Sequence, residues 1–219
     1  MATDTRLQTI KVLDTAGRER ALEVLRATYR DEKGWVDDER TQVPIADLTD
    51  PAISWWVVQR DGRSVGVVRA LYDPPLHLYK DYGLQLLNGV EVDVEAFLRN
   101  NRIAEVGRFA VLPEFRNQVL VAAALMRAAS TEIAGRGYSH LITDVFENDP
   151  HSPYHFHTTV MGFVPVATHD VGELNHQGRR ITLVLDLRAA YQKLRASNGF
   201  IFRFLTGQWD PELHARMGS

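Results

Sequence analysis

Residues 103–129, IAEVGRFAVLPEFRNQVLVAAALMRAA, restrict the fold more than any other stretch of the chain. Residues 103–111 alternate as a strand does, Pro113 breaks the pattern, and Leu120, Val121, Ala124, Leu125 and Ala128 then recur at helical spacing toward Gly135 and Gly137. This is a strand-loop-helix unit. With the order of the elements around it, the chain is expected to be α/β (α+β) around one sheet.

The flanking sequence supplies the rest of that sheet. Residues 7–13 read as a strand, and Asp14 or Thr15 can cap a helix carrying Ala21, Leu22, Leu25 and Tyr29 on one face, ended by Gly34. Residues 53–71 read as a hairpin about Arg60-Asp61-Gly62, because Asp-Gly tolerates the positive φ angles of a tight turn. The pattern weakens over 72–102, with Pro74-Pro75 and a short amphipathic VDVEAFLRN stretch, and this segment reads as a lid or pocket-forming insertion. Then come a strand in HLITDVF (140–146), a helix in PYHFHTTVMGF stopped by Gly162, and strands in FVPVAT and RRITLVLDL. From Arg188 a helix runs to the break at Ser197-Asn198-Gly199, and IFRFLTGQW follows, with aromatics to dock on the body or on a partner. The expected organisation is one domain over 1–187 with a C-terminal helical appendage over 188–219.

Composition removes several classes of function. At 219 residues and 45% apolar, the chain can bury one substantial core. No window approaches the roughly 18 apolar residues of a membrane span, and MATDTRLQTIKV lacks a signal peptide's pattern, so a cytoplasmic protein is expected. The net charge of −3 argues against a nucleic-acid partner, and the absence of cysteine excludes disulfides, thiolate metal sites and a cysteine nucleophile. His151, His155 and His157 cluster, but Pro150 and Pro153 interrupt any helix there and no acidic partner sits at ligand spacing, so no metal is expected.

Four strings carry a resemblance: RATYRDEKGW (26–35), ADLTDPAISWWVV (46–58), GVVR (66–69) and EVGRF (105–109). In this order, and with this order of elements, the chain resembles the N-acetyltransferase superfamily (GNAT), and within it the branch of acyl-homoserine-lactone (autoinducer) synthases and N-acyl amino acid synthases. The resemblance spans about residues 10–187 and implies a central mixed, mostly antiparallel sheet flanked by helices. Carried over residue by residue, it implies substrate-binding roles for Arg26, Tyr29, Trp35, Asp47, Asp50, Arg69, Arg108 and Phe109, and a general base at Glu105. Ile45 stands where the family has a glutamate, Gly107 where it has a serine, and Thr158 where many acetyltransferases place a tyrosine acid.

The resemblance also places an acyl donor along the end of the central strand and the start of the next helix, at Val111, Arg116, Asn117, Val119 and Val121. A helix N-terminus favours phosphate, and the superfamily's usual Arg-x-x-Gly-x-Gly lets the backbone approach a pyrophosphate closely. Here both glycines are valine, Val119 and Val121, which favours the single phosphodiester of an acyl carrier protein over coenzyme A; the plainer reading is that a buried turn prefers valine for packing.

For each candidate residue a structural role stands beside the chemical one. Glu105 can abstract a proton or sit in an ion pair, the three arginines can grip an acceptor carboxylate bidentately, and Asp47 and Asp50 can meet an ammonium or cap loops. Trp35 and Phe109 can shape a pocket or simply pack. The leading expectation is an N-acyltransferase moving a fatty acyl group from an acyl carrier protein (or coenzyme A) thioester to the amino group of an amino acid or related small amine, with no tightly bound cofactor. Alternatives are an autoinducer synthase using S-adenosylmethionine, a coenzyme A-dependent acetyltransferase of small amines, and a non-catalytic acyl- or metabolite-binding module on the same fold.

Overall fold

The computed structural model describes residues 7–172, 174, 176 and 178–219. Residues 1–6, and 173, 175 and 177 of the string GELNHQGRRITLVLDL, lie outside the described residues. Eight strands follow one another in the order β1-β2-β3-β5-β6-β8-β7-β4. They are β1 (Leu7–Lys11), β2 (Ile53–Arg60), β3 (Arg63–Tyr72), β4 (Gln85–Leu86), β5 (Ile103–Val111), β6 (His140–Phe146), β7 (Val164–His169) and β8 (Arg180–Asp186). The β5–β6 pair is parallel, whereas β1–β2, β2–β3, β4–β7, β6–β8 and β7–β8 are antiparallel. By internal contacts the chain divides into two compact units: Met1–Leu71 with Val106–Thr131, and Tyr72–Glu105 with Glu132–Ser219.

In the first unit, helix α1 (Thr15–Leu25) starts where Asp14 accepts a hydrogen bond from Gly17 N at 2.7 Å. The helical run continues as a π-helical turn over Arg26–Glu32 before Gly34, at φ +61°, ends it. The hairpin forms as expected: Arg60 pairs with Arg63, and Asp61 and Gly62 both have positive φ, 51° and 79°. Helix α4 (Val119–Gly135) buries Val121, Ala124, Leu125, Met126 and Ala129 completely. Gly66 on β3 makes room for it: a Cβ there would lie 3.0 Å from Leu125 Cδ1 and 3.4 Å from Val121 Cγ1. The expected Gly-x-x-Arg glycine thus has a packing reason in this chain.

In the second unit, the weakly patterned 72–102 segment forms α2 (Leu78–Asp81), β4 and α3 (Val94–Asn100), the last capped by Asp93 through Ala96 N at 2.9 Å. Strand β7 carries Pro165 at a shift in its register with β8, the place where a residue without an N–H is tolerated in a ladder. The helix expected in PYHFHTTVMGF is a π-helical turn, Phe156–Met161, closed by Gly162 at φ +88°. The tail is three helices: α5 (Leu187–Ser197), α6 (Phe200–Thr206) and α7 (Pro211–Gly218). Left-handed Asn198 ends α5, and Asp210 with Pro211 starts α7, a start the apolar pattern alone did not reveal. Tyr191 is the tail's hub: its ring stacks on Trp209 at 5.5 Å, meets Phe202 at 5.4 Å, and its hydroxyl lies 2.9 Å from His214 Nδ1. No helix among the described residues is long and apolar enough to cross a membrane.

Candidate active site

The first unit gathers several of the residues singled out in the sequence. Tyr29 and Trp35 meet edge to face, 5.0 Å between ring centroids, and Trp35 N donates to Tyr29 O at 2.8 Å. Arg26 donates to Glu39 Oε1 at 2.8 Å, and Arg30 to Glu39 Oε2 at 2.7 Å. Glu39 is only 3% exposed. Burial pushes its carboxyl up, but its own backbone N–H and the two guanidiniums outweigh that and hold it below the usual range. Sequence reasoning missed Glu39, since nothing in DDER marks one acid for burial beneath an arginine 13 residues earlier.

The two aspartates have local work. Asp47 accepts from the indole of buried Trp55 at 2.9 Å, and Asp50 accepts from Ala52 N at 2.8 Å as a turn cap. Trp55 lies opposite Arg69 in the β2–β3 register, so the Asp47–Trp55 pair and the Arg69 guanidinium start from one sheet face. On β5, Gly107 precedes Arg108, which sits at φ +51°, and Phe109 is half-buried. A left-handed arginine inside a strand interrupts the alternation of faces and costs about 1–3 kcal/mol.

At the start of α4 the two valines part company. Val121 is completely buried against the Gly66 site, whereas Val119 is 43% exposed. The packing explanation therefore accounts for Val121, and Val119 alone presents a branched Cβ outward at the helix start. Arg116 donates to Val111 O at 3.2 Å and forks onto Glu32, with Nη1 to Oε1 at 2.7 Å. Gln118, next to Asn117 in the same loop, accepts from Arg60.

The second unit holds Glu105 and an apolar cavity of about 240 Å³. Tyr79, Leu84, Val94, Phe97, Ile103, Ile142 and Val184 are among its lining residues, drawn from the 72–102 insertion and from β5, β6 and β8. The register explains the neighbouring chemistry. Ile103 and Glu105 share a face of β5, Glu105 pairs with Ile142, Ile142 with Val184 and Asp144 with Thr182. One face thus carries the cross-strand row Glu105, Ile142 and Val184, with Ile103, His140 and Asp186 one step back along the strands and the polar pair Asp144 and Thr182 one step further on. The β6 string LITD held the signal for Asp144, a carboxylate two residues from the apolar Ile142 and so on the same strand face.

Asp144 organises this polar end. Its Oδ2 accepts from the Tyr79 hydroxyl at 2.8 Å, and its Oδ1 accepts from Thr182 Oγ1 at 2.8 Å and lies 3.2 Å from His169 Nε2. His169 Nδ1 lies 2.7 Å from Val171 O, so that nitrogen donates. Burial opposes a charge on His169, but the Asp144 hydrogen bond and charge and the Val171 carbonyl outweigh it and raise its pKa. Burial first, then the charges of Asp144 and Glu105, hold the Tyr79 phenol well above its ordinary value. Tyr79 therefore keeps its proton and serves as a hydrogen-bond donor.

Of the three histidines clustered in sequence, His157 is fully buried between Phe156 and Phe163, at ring distances of 5.6 and 5.1 Å. Burial pushes its pKa down to about 3, so it is a neutral core residue. Among the described residues no group of three histidines or carboxylates is placed to hold a metal ion.

A strand followed by a loop at Pro113 and an apolar helix, within a mostly antiparallel sheet, is the fold of the N-acyltransferase class. A model of the acetyltransferase (GNAT) family matches residues 19–163, and the chain belongs to that family. Among curated proteins none matches its sequence. Among solved structures it is similar to FeeM, an N-acyl amino acid synthase from uncultured soil microbes, at 18% identity over 91% of this chain and 100% of that one, with a TM-score of 0.66. It is similar also to a GNAT acetyltransferase of Desulfovibrio desulfuricans (11% identity, 83% and 99% covered, TM-score 0.57) and to the ribosomal-protein-S18-alanine N-acetyltransferase of Escherichia coli (14%, 83% and 94%, 0.53). At these identities the likeness is one of fold.

Proposed function

We propose that the protein transfers a fatty acyl group from an acyl carrier protein thioester to the amino group of an amino acid or a close relative. The observation that carries this reading is the apolar cavity of about 240 Å³ whose walls Ile103, Ile142 and Val184 share a sheet face with Glu105. An acetyl group has no need of such a volume. It is smaller than the roughly 300–1,000 Å³ of sites that enclose a whole ligand, as suits the tail of a substrate whose head lies outside. Glu105 is about 7 Å further along the same strand face than the cavity-lining Ile103.

In this reading the amine nitrogen attacks the thioester carbonyl, the C–N bond forms and the C–S bond breaks. Glu105 takes the proton that the nitrogen sheds, and the departing thiolate takes up a proton from water, which leaves the overall proton count unchanged once Glu105 returns its own to solvent. Because the surroundings of Tyr79 hold its phenol neutral, Tyr79 orients Asp144 without giving up its proton. The exposed Val119 at the start of α4 crowds a pyrophosphate more than a phosphodiester, which supports the carrier-protein donor. Arg69 and Arg108 are the cations assigned to the acceptor's carboxylate.

The test is mass spectrometry of products formed from carrier-protein and coenzyme A thioesters of several chain lengths, offered with amino acids and with S-adenosylmethionine. An N-acyl amino acid made from the carrier-protein donor is the expected product. A lactone would reassign the acceptor, acetyl transfer from coenzyme A alone would reassign the donor, and no product from any pair would leave a binding module.

A further inference from the structure

The stretch from Leu187 to Trp209 differs in charge from the rest of the chain. It holds Arg188, Lys193, Arg195 and Arg203 and no carboxylate, within a protein whose net charge is −3. All four cations are exposed, and among the described residues none of them forms an ion pair. On α5, Leu187 and Tyr191 are buried and Leu194 is half-buried, so the helix's apolar stripe is used up inward and its outer side is cationic. On α6 the arrangement differs. Leu205 and Thr206 are buried and Phe202 packs on Tyr191, whereas Phe200 is 57% exposed and its ring stacks on that of Phe204 one turn later, 5.9 Å away. Phe200, Arg203 and Phe204 share one side of the helix by their spacing.

We infer that α5 and α6 form a surface that rests on an anionic lipid bilayer, with Phe200 and Phe204 entering the interface and the four cations meeting the headgroups. An exposed Phe200 stacked on a half-buried Phe204, beside exposed Lys and Arg that form no ion pair among the described residues, is the pattern of a helix lying in the interface plane. A purely electrostatic partner would use the cations and leave Phe200 in water. Nothing here spans the bilayer, and binding of this kind leaves the catalytic chemistry untouched, so it stands apart from the transferase reading.

The full-length protein is mixed with sedimenting vesicles of phosphatidylcholine alone or of phosphatidylcholine with an equal part of phosphatidylglycerol, and the bound fraction is read by centrifugation. Binding to the anionic vesicles is expected, weakening as salt rises. Lys193→Gln and Arg203→Gln should each weaken it about fivefold, the effect of one cation near an anionic surface. Phe200→Ser should reduce it at every salt concentration. Circular dichroism of each variant, unchanged because the replaced side chains are outward, separates lost binding from lost fold. Equal binding to neutral vesicles, no binding to either, or variants that bind like the parent would overturn the proposal. So would displacement of the bound protein by an acidic acyl carrier protein that is itself sensitive to Lys193→Gln, which would assign the surface to that protein.

Discussion

The Tyr79 hydroxyl and Asp144 Oδ2 are 2.8 Å apart, which ties the 72–102 insertion to β6 at the polar end of the apolar cavity. Tyr79→Phe removes that tie and leaves Asp144 its contacts with Thr182 and His169. The cost to stability should be about 1 kcal/mol, measured by urea unfolding. The KM for long-chain acyl donors should rise more than that for short-chain donors, because the insertion supplies much of the cavity wall.

Glu105→Gln keeps size and polarity and removes the carboxylate proposed as the base. Turnover should fall by about 10²–10⁴-fold with little change in donor binding, the signature of lost general-base catalysis. A variant that turns over like the parent would remove Glu105 from the chemistry.

Two buried histidines give opposite pH dependences. His157, held down to about 3, takes up its proton in the unfolded chain near pH 6.5 and so costs stability as pH falls below about 6.5. His169 has a raised pKa; its contribution is complete below about pH 6.5 and is lost as pH rises through the folded-state value above it. Thermal unfolding across this range should show His157→Leu flattening the acid limb and His169→Gln removing part of the decline on the alkaline side.

The valines of the α4 start separate by substitution. Val121→Gly should cost about 2–4 kcal/mol, as a core truncation within a helix. Val119→Gly, at the exposed position, should cost about 1 kcal/mol or less and raise coenzyme A affinity several-fold by titration calorimetry. Unchanged affinity would mean that Val119 does not discriminate between donors.

Leu84 lines the cavity from the insertion and belongs to no strand. Leu84→Trp should fill part of the cavity and shift products toward shorter acyl chains, read by mass spectrometry of mixed-donor reactions. An unchanged chain-length profile would place the acyl chain elsewhere.

The parts of the fold that were legible in sequence are those where local chemistry and tertiary structure agree. Asp61-Gly62 demanded a tight turn, Asp14 caps the helix that follows it, and the apolar run after Pro113 is helical because most of its circumference is buried. The 72–102 segment resisted because its elements are too short for any period to show and are held by contacts such as Tyr79 to Asp144. At the candidate site, the sequence singled out motif residues but not the partners they meet. Glu39 beneath Arg26 and Arg30, and Glu32 beneath Arg116, are pairs fixed by tertiary placement rather than spacing. Asp144 was within reach of a strand-face argument; His169 gained its role only from a register that sequence does not display.

At Arg108 the backbone conformation and the charge are requirements of different kinds. A left-handed φ of +51° suits glycine best, yet a guanidinium is kept there. Replacing Arg108 with glycine would suit the main-chain geometry already present and delete the half-buried side chain with its cation. Position 108 is thus a place where the shape of the central strand does not depend on the charge it carries.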